Sequence, residues 1–215
     1  KDDEIIVPAI TFIASAAAIN YVGAKPIFVD VRENDWLINV DIIEKYINKK
    51  TKAIMAVHLH GLMCDMDKIK NIAKKYKLKI IEDSAQAHGS TFNNKMPGFY
   101  SDAATFSFYP TKNLGAIGEG GAILTNNKNV YEKTRRMRAW SHKKNDFYEI
   151  SYNYRMTEFS AISLLAKLRF LNSDIKRRIA ISELYKKYLK TFSYSHFNKK
   201  TKKHSFHIFA IRVDA

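Results

Sequence analysis

Short apolar runs that alternate with amphipathic helical stretches constrain this chain more than any other feature. The runs fall at 4–7, 26–31 (PIFVDV), 52–59 (KAIMAVHL), 78–82 (LKIIE), 103–108 (AATFSF) and 121–125 (GAILT). Between the first two, residues 11–22 are alanine-rich and close at Gly23, as a helix C-terminus does. Residues 40–48 read as a helix with Asn39 as its N-cap. Residues 65–76 carry Met66, Ile69, Ile72 and Ala73 at helical spacing, with lysines on the opposite face. Strands separated by helices specify an α/β protein with a mainly parallel central sheet flanked by helices.

After residue 125 the pattern changes. Residues 157–189 read as helical with a break near 172–174, and 205–213 (SFHIFAIRV) alternate like a strand. The expected division is a large α/β domain over 1–171 and the start of a smaller C-terminal α+β domain over 172–215. At 46% hydrophobic residues in a chain of 215, a sizeable core can form, which excludes a disordered chain. The single cysteine, Cys64, excludes an intramolecular disulfide, and no Asn-x-Ser/Thr site occurs. Both features suit a reducing, cytoplasmic setting. No apolar run approaches the ~20 residues that span a bilayer, and Lys1-Asp2-Asp3-Glu4 lacks the order of a signal peptide. No membrane role is expected.

The net charge of +15 is unevenly spread, with +1 over residues 1–107 and +14 over 108–215. Its clusters, at 135–138, 176–178 and 199–203, fall where a solvated helix face or a loop is expected, and none matches a nucleic-acid module. Solvated lysines are the simpler reading, ahead of a phosphate-bearing substrate or an acidic partner.

Two segments carry chemistry. Glu82-Asp83-Ser84-Ala85-Gln86-Ala87-His88-Gly89 follows the 78–82 strand, and Phe106-Ser107-Phe108-Tyr109-Pro110-Thr111-Lys112-Asn113-Leu114-Gly115 follows the next. Open α/β sheets bind ligands outside the carboxyl ends of their strands, so Asp83 and Lys112 share one functional edge. A neutral lysine amine adds to an aldehyde, and a carboxylate holds a pyridine nitrogen protonated; pyridoxal phosphate (PLP) enzymes use this pairing. Spacing alone leaves a plainer reading open, with Asp83 a turn residue and Lys112 a surface side chain.

Pro8-x-x-Thr11-Phe12, the 82–89 segment, Ser107-Phe108-x-x-x-Lys112 with Gly118-x-Gly120-Gly121, and Tyr152-Asn153-Tyr154-Arg155-Met156-Thr157-Glu158 occur in this order. Together they resemble the DegT/DnrJ/EryC1/StrS family of PLP-dependent sugar aminotransferases, of the aspartate aminotransferase fold type I. The resemblance spans essentially the whole chain. Family members run longer at both ends, so the expectation is a chain lacking an N-terminal segment that helps hold the cofactor phosphate and most of the small C-terminal domain.

The resemblance implies PLP cycling with pyridoxamine phosphate (PMP). It implies that Lys112 forms the Schiff base and shuttles the proton, Asp83 pairs with the pyridine nitrogen and Gln86 bonds the phenolic oxygen. It further implies that Ser107 binds phosphate, Phe12 stacks on the ring, and Asn153 reaches the phosphate of a neighbouring subunit in a homodimer. A core role for Phe12 and a turn or cap role for Asn153 stay open. His60 is expected near the substrate, and His88 faces either substrate or core. The implied reaction moves an amino group from glutamate to a nucleotide-linked keto sugar, in amino-sugar biosynthesis for surface polysaccharide or glycoconjugate.

Three alternatives compete. A PMP-dependent sugar dehydratase has histidine where this chain has Lys112. A non-catalytic regulatory relative would not need Asp83, Gln86, Ser107 and Lys112 together. Nucleic-acid binding rests on the basic half alone. His58 and His60, with Cys64 and Asp65 after them, hint at zinc, but two histidines on one strand face lack clear closing ligands, and no metal is expected. The glycines at 115, 118, 120 and 121 precede a strand instead of opening a helix, so they are no dinucleotide fingerprint. Trp36 and Trp140 read as core or interface residues.

Overall fold

The computed structural model describes residues 2–139, 142–143, 146–147, 150–190, 192–194 and 200–213. Trp140 and Lys199, both named above, lie outside the described residues. The first half runs β1 (Glu4–Pro8), α1 (Ile13–Tyr21), β2 (Lys25–Val29), β3 (Thr51–Val57), α2 (Met66–Tyr76), β4 (Lys79–Asp83) and β5 (Thr91–Phe92). β6 (Ala103–Ser107), β7 (Gly121–Leu124), α3 (Lys128–Arg138), α4 (Glu158–Leu168) and α5 (Leu171–Tyr188) follow.

The main sheet has the order β2-β1-β3-β4-β6-β7. Its strands pair in parallel except at the edge, where β7 runs antiparallel to β6. The central strands β1 and β3 are buried on both faces, which is why they read as continuous apolar runs, while the edge strands β2 and β7 are more exposed. Ile6, Ile54 and Ala56 face one core, with Leu62, Met63, Met66 and Ile69 from the α2 side. Val7, Met55 and Val57, the alternate positions of the same strands, face a second group with Ile19 of α1. Each of these valine, isoleucine, leucine and methionine side chains contributes about 1.5–3 kcal/mol when fully buried. Asp65 caps α2 by accepting from the Lys68 N–H at 3.1 Å.

Three predicted elements differ. Residues 40–48 form only a 3-10 turn at Ile43–Tyr46. The Asn39 side chain accepts the Asp41 N–H at 3.2 Å, a local bond that competes with a helix, and Ile47 is already extended. The break between the long helices lies at Arg169–Phe170, not at 172–174, and Asp174 sits in the first turn of α5, where a carboxylate suits the helix dipole. In 205–213 only Ile211–Arg212 is strand, antiparallel to Ser193–Tyr194. Residues 204–208 instead lie along the loops at the carboxyl edge of the sheet, with Ser205 N–H donating to Gly61 O at 2.9 Å. Lys202–Lys203 pairs with β5. Among the described residues, no helix is long and apolar enough to cross a membrane.

Candidate active site

β4 ends at Asp83 and the parallel neighbour β6 ends at Ser107, with Asp83 opposite Thr105 in register. Both therefore deliver their following loops to one edge. The loop after β6 folds back tightly. Lys112 N–H donates to Tyr109 O at 2.9 Å and Ala116 N–H to Phe108 O at 2.8 Å. A Cβ on Gly115 would stand 2.3 Å from Pro110 O, so only glycine allows this approach.

Lys112 is half-buried in that loop. Burial pulls its amine below the ordinary lysine value, and the Asp83 carboxylate acts in the opposite sense. The amine thus feels the acid across the edge. Asp83 is held from two sides: Ser15 Oγ of α1 donates to Oδ2 at 2.7 Å, and Ala85 N–H to Oδ1 at 3.1 Å. Ser15 in turn bonds Thr11 Oγ1 at 2.8 Å. Sequence reasoning passed over Ser15; a buried hydroxyl inside an alanine-rich helix was the available signal.

Gln86 Oε1 accepts the His60 N–H at 2.5 Å, tying the loop after β4 to the turn after β3. Ser107 Oγ accepts the Tyr109 N–H at 3.2 Å. Phe12 stands at the N-cap of α1 and is 70% exposed, so the core reading of this ring fails. Asn153 is exposed; its side-chain oxygen accepts from Arg155 Nε at 3.0 Å and its backbone bridges to Ala139. The Tyr152 and Tyr154 rings stack at 4.7 Å on either side of it. They line a cavity of about 780 Å³ with Phe108, Tyr131, Arg135 and Arg138, which none of the candidate residues lines.

The two strand histidines part company, which corrects their placement on one strand face. β3 stops at Val57. His58 turns into the core, where Nε2 meets Glu82 Oε2 at 2.6 Å and Nδ1 accepts the Cys64 N–H at 3.3 Å. Cys64 Sγ donates to Val57 O at 3.2 Å, so both groups are committed to protein partners. His60 takes a left-handed conformation, φ 58°, and lies edge-on to Trp36 at 5.9 Å. With Ile10, Asp30, Glu33, Trp36 and Arg212 it lines a cavity of about 500 Å³. His88 is buried against Phe106 and Phe108, at 5.2 and 5.9 Å between ring centroids. Burial, then the Lys112 charge, push its imidazole down to about 4; the Ser107 backbone pulls the other way without reaching hydrogen-bond geometry.

Among the described residues of the basic clusters, Arg178 and Lys202 make packing contacts. Arg178 Nη1 donates to Phe206 O at 3.2 Å, and Lys202 Nζ lies 5.8 Å from the centre of the Phe92 ring.

The sequence profile of the DegT/DnrJ/EryC1/StrS aminotransferase family matches residues 1–215. The chain is 46% identical over 214 residues to the dTDP-3-amino-3,6-dideoxy-alpha-D-galactopyranose transaminase of Aneurinibacillus thermoaerophilus, covering 98% of this chain and 59% of that protein. The crystal structure of S. venezuelae DesV in complex with a ketimine intermediate matches with a TM-score of 0.92 at 34% identity, over 98% of this chain and 57% of that one. NtdA from Bacillus subtilis with bound cofactor PMP matches with a TM-score of 0.90 at 32% identity, over 99% and 49%. The chain spans about half the length of the curated relatives it matches, from 48% to 59%.

Proposed function

This chain belongs to the DegT/DnrJ/EryC1/StrS aminotransferase family, and we propose that it is a PLP-dependent transaminase acting with glutamate on a nucleotide-linked keto sugar. The observation that carries the reading is the placement of Asp83 at the end of β4 and Lys112 in the loop that leaves its parallel neighbour β6 at the same edge, where the amine feels the carboxylate charge.

The side chains fit the cofactor. Each oxygen of Asp83 keeps a lone pair after accepting from Ser15 and Ala85. The Lys112 amine has no hydrogen-bond partner among the described residues, and Phe12 presents its ring to open space. When bound, PLP supplies an aldehyde that reacts with amines and a ring that draws electrons from the adjoining carbon.

Asp83, fixed by two donors, keeps a proton on a ring nitrogen through a charge-assisted bond. Lys112, its charge disfavoured by burial, acts as the base that removes a proton and returns it. Gln86 spends its oxygen on His60, which leaves the amide nitrogen to donate to a phenolic oxygen. The Ser107 hydroxyl donates to phosphate while its oxygen accepts from Tyr109. Phe12 covers the ring face. Asn153, exposed and outside this cluster, serves the phosphate of a second subunit in a homodimer. The cavity beside His60 takes the substrate, and His88 serves it from beside Lys112.

The domain division at 171/172 belongs to the same proposal, as does a reducing cytoplasmic setting, which the buried free Cys64 supports.

The test is trapping followed by turnover. The chain is mixed with PLP and reduced with borohydride, and the adduct is located by peptide mass; glutamate and a panel of dTDP-, UDP- and GDP-linked keto-hexoses follow. An adduct on the Lys112 peptide and an aminated sugar are expected. An adduct elsewhere, or no aminated product from any member of the panel, overturns the proposal.

A further inference from the structure

Among the described residues, the buried side-chain atoms without a hydrogen-bond partner are Ser84 Oγ, both ring nitrogens of His88, Asn113 Oδ1 and His207 Nδ1. They are not scattered. Ser84 and His88 follow Asp83, Asn113 follows Lys112, and His207 comes from the C-terminal segment that lies over both loops. Native proteins leave few buried polar atoms unpaired, because each forfeits its hydration for nothing. Their concentration beside the catalytic pair marks the place where a ligand completes them.

His207 is held there by a strap. Ser205 N–H donates to Gly61 O at 2.9 Å and Ile208 N–H to His60 O at 3.3 Å. Asn113 Nδ2 donates to Ser205 O at 3.0 Å, Ser90 Oγ to Ser205 Oγ at 2.9 Å, and Arg178 Nη1 to Phe206 O at 3.2 Å. Five bonds from four segments fix residues 205–208, so the His207 ring is positioned before any ligand arrives.

The free atoms select a chemistry. Asn113 gives one amide hydrogen to Ser205 O, and the atom it leaves without a partner is its oxygen, an acceptor. A neutral imidazole offers one donor and one acceptor. Burial and then the Lys112 charge push His207 down to about 4, so like His88 it is neutral near pH 7. A carboxylate or a phosphate brings acceptors alone and leaves the Asn113 oxygen opposed. A hydroxyl both gives and takes.

We infer that His207, with His88 and Asn113, forms a subsite for the ring hydroxyls of the acceptor sugar. The inference rests on the transaminase reading above, and it separates the two substrates: the sugar needs this subsite, whereas the amino donor does not.

The test is His207→Phe with His207→Gln beside it. Without ligand, His207→Phe should raise Tm by about 2–4 °C, because an apolar ring replaces a buried unpaired nitrogen. With PLP bound, the KM for the keto sugar should rise about tenfold, while the glutamate half-reaction, followed by absorbance, stays within about twofold. His207→Gln should restore most of the sugar KM. A lowered Tm, an equal loss in both half-reactions, or an unchanged sugar KM overturns the inference. If His207→Phe does not fold, His207→Ala decides by the same split between half-reactions. A wild-type chain that performs neither half-reaction sinks the transaminase reading instead, and the Tm of His207→Phe still decides whether the ring nitrogen awaits a ligand.

Discussion

Ser15 on α1 and Asp83 at the end of β4, 68 residues apart, are joined by a 2.7 Å hydrogen bond from the serine hydroxyl to the carboxylate. Around Ser15, α1 consists of alanines and isoleucines up to Asn20 and Tyr21, and its N-cap lacks a side-chain bond. Its placement over the sheet edge therefore serves the acid as well as the core. Because Ala85 N–H holds the other oxygen, the carboxylate keeps one orientation before a cofactor binds.

Replacing Ser15 with alanine removes the side-chain donor and leaves Ala85 alone. A hydrogen bond to a charged group contributes about 1.5–3 kcal/mol. Taking the low end for a partly exposed acid, the Ser15→Ala variant should bind PLP about tenfold more weakly by absorbance titration. Ser15→Thr, which keeps a hydroxyl, should lie close to the parent. Equal affinities for Ser15→Ala and the parent would show that Asp83 needs no such support.

Lys112 gives a pH dependence whose sign is fixed by two opposing causes. Burial lowers its proton affinity and the Asp83 carboxylate raises it. Only the neutral amine captures an aldehyde, so the capture of PLP should speed up as pH rises, with a midpoint below the ordinary 10.5. Asp83→Asn removes the opposing charge, and its midpoint should fall further. Stopped-flow absorbance between pH 7 and 10 measures both. A midpoint that moves upward in Asp83→Asn separates the two groups in space.

The parallel sheet was legible because its central strands are buried on both faces and so read as unbroken apolar runs. Asp83 and Lys112 were legible because strand ends are where such sheets bind ligands. What escaped depended on partners distant in sequence. Nothing near Ser15 announces Asp83, and nothing near His207 announces Asn113 or Gly61. The apolar alternation of 205–213 has the period of a strand, yet Phe206 takes a left-handed φ of 48° and the segment is tied down by bonds to loops. The isoleucines of 40–48 fill core sites without needing more than one helical turn.

Beneath the site, His58 and Glu82 are fully buried and bonded at 2.6 Å. Burial pushes Glu82 up, but His58, Ser101 and Gly98 donate to it and outweigh burial, holding it below its ordinary value. Burial pushes His58 down, but the Cys64 and Glu82 contacts outweigh it and raise the ring to about 9; in that charged form Nδ1 is a donor and gives up the bond it accepts from the Cys64 N–H in the neutral ring. The histidine contribution is therefore present below 6.5 and lost as pH rises through about 9, whereas the glutamate contribution is lost in acid. Removing one partner strands the other in the core, so Glu82→Gln should cost about 3–5 kcal/mol by urea denaturation at neutral pH. The loss should be smaller near pH 9.5. A variant as stable as the parent would mean that the ring is neutral and satisfied by Cys64 alone.

Gly61 is where the strap meets the turn after β3. Its φ of +97° is disfavoured for any side chain, and a Cβ there would stand 2.5 Å from Ser205 Oγ and 3.1 Å from both Gln86 O and His207 N. The serine hydroxyl can rotate away; the two backbone atoms cannot. Gly61→Ala should therefore destabilise the fold by about 1–3 kcal/mol. Adding Ser205→Ala should recover only the part due to the hydroxyl, because the φ strain and the backbone contacts remain. A double-mutant cycle in urea separates the two contributions. Full recovery in the double variant would reduce the requirement for glycine to one movable side chain. Partial recovery, with a raised KM for the keto sugar, would tie the backbone of Gly61 to the position of His207.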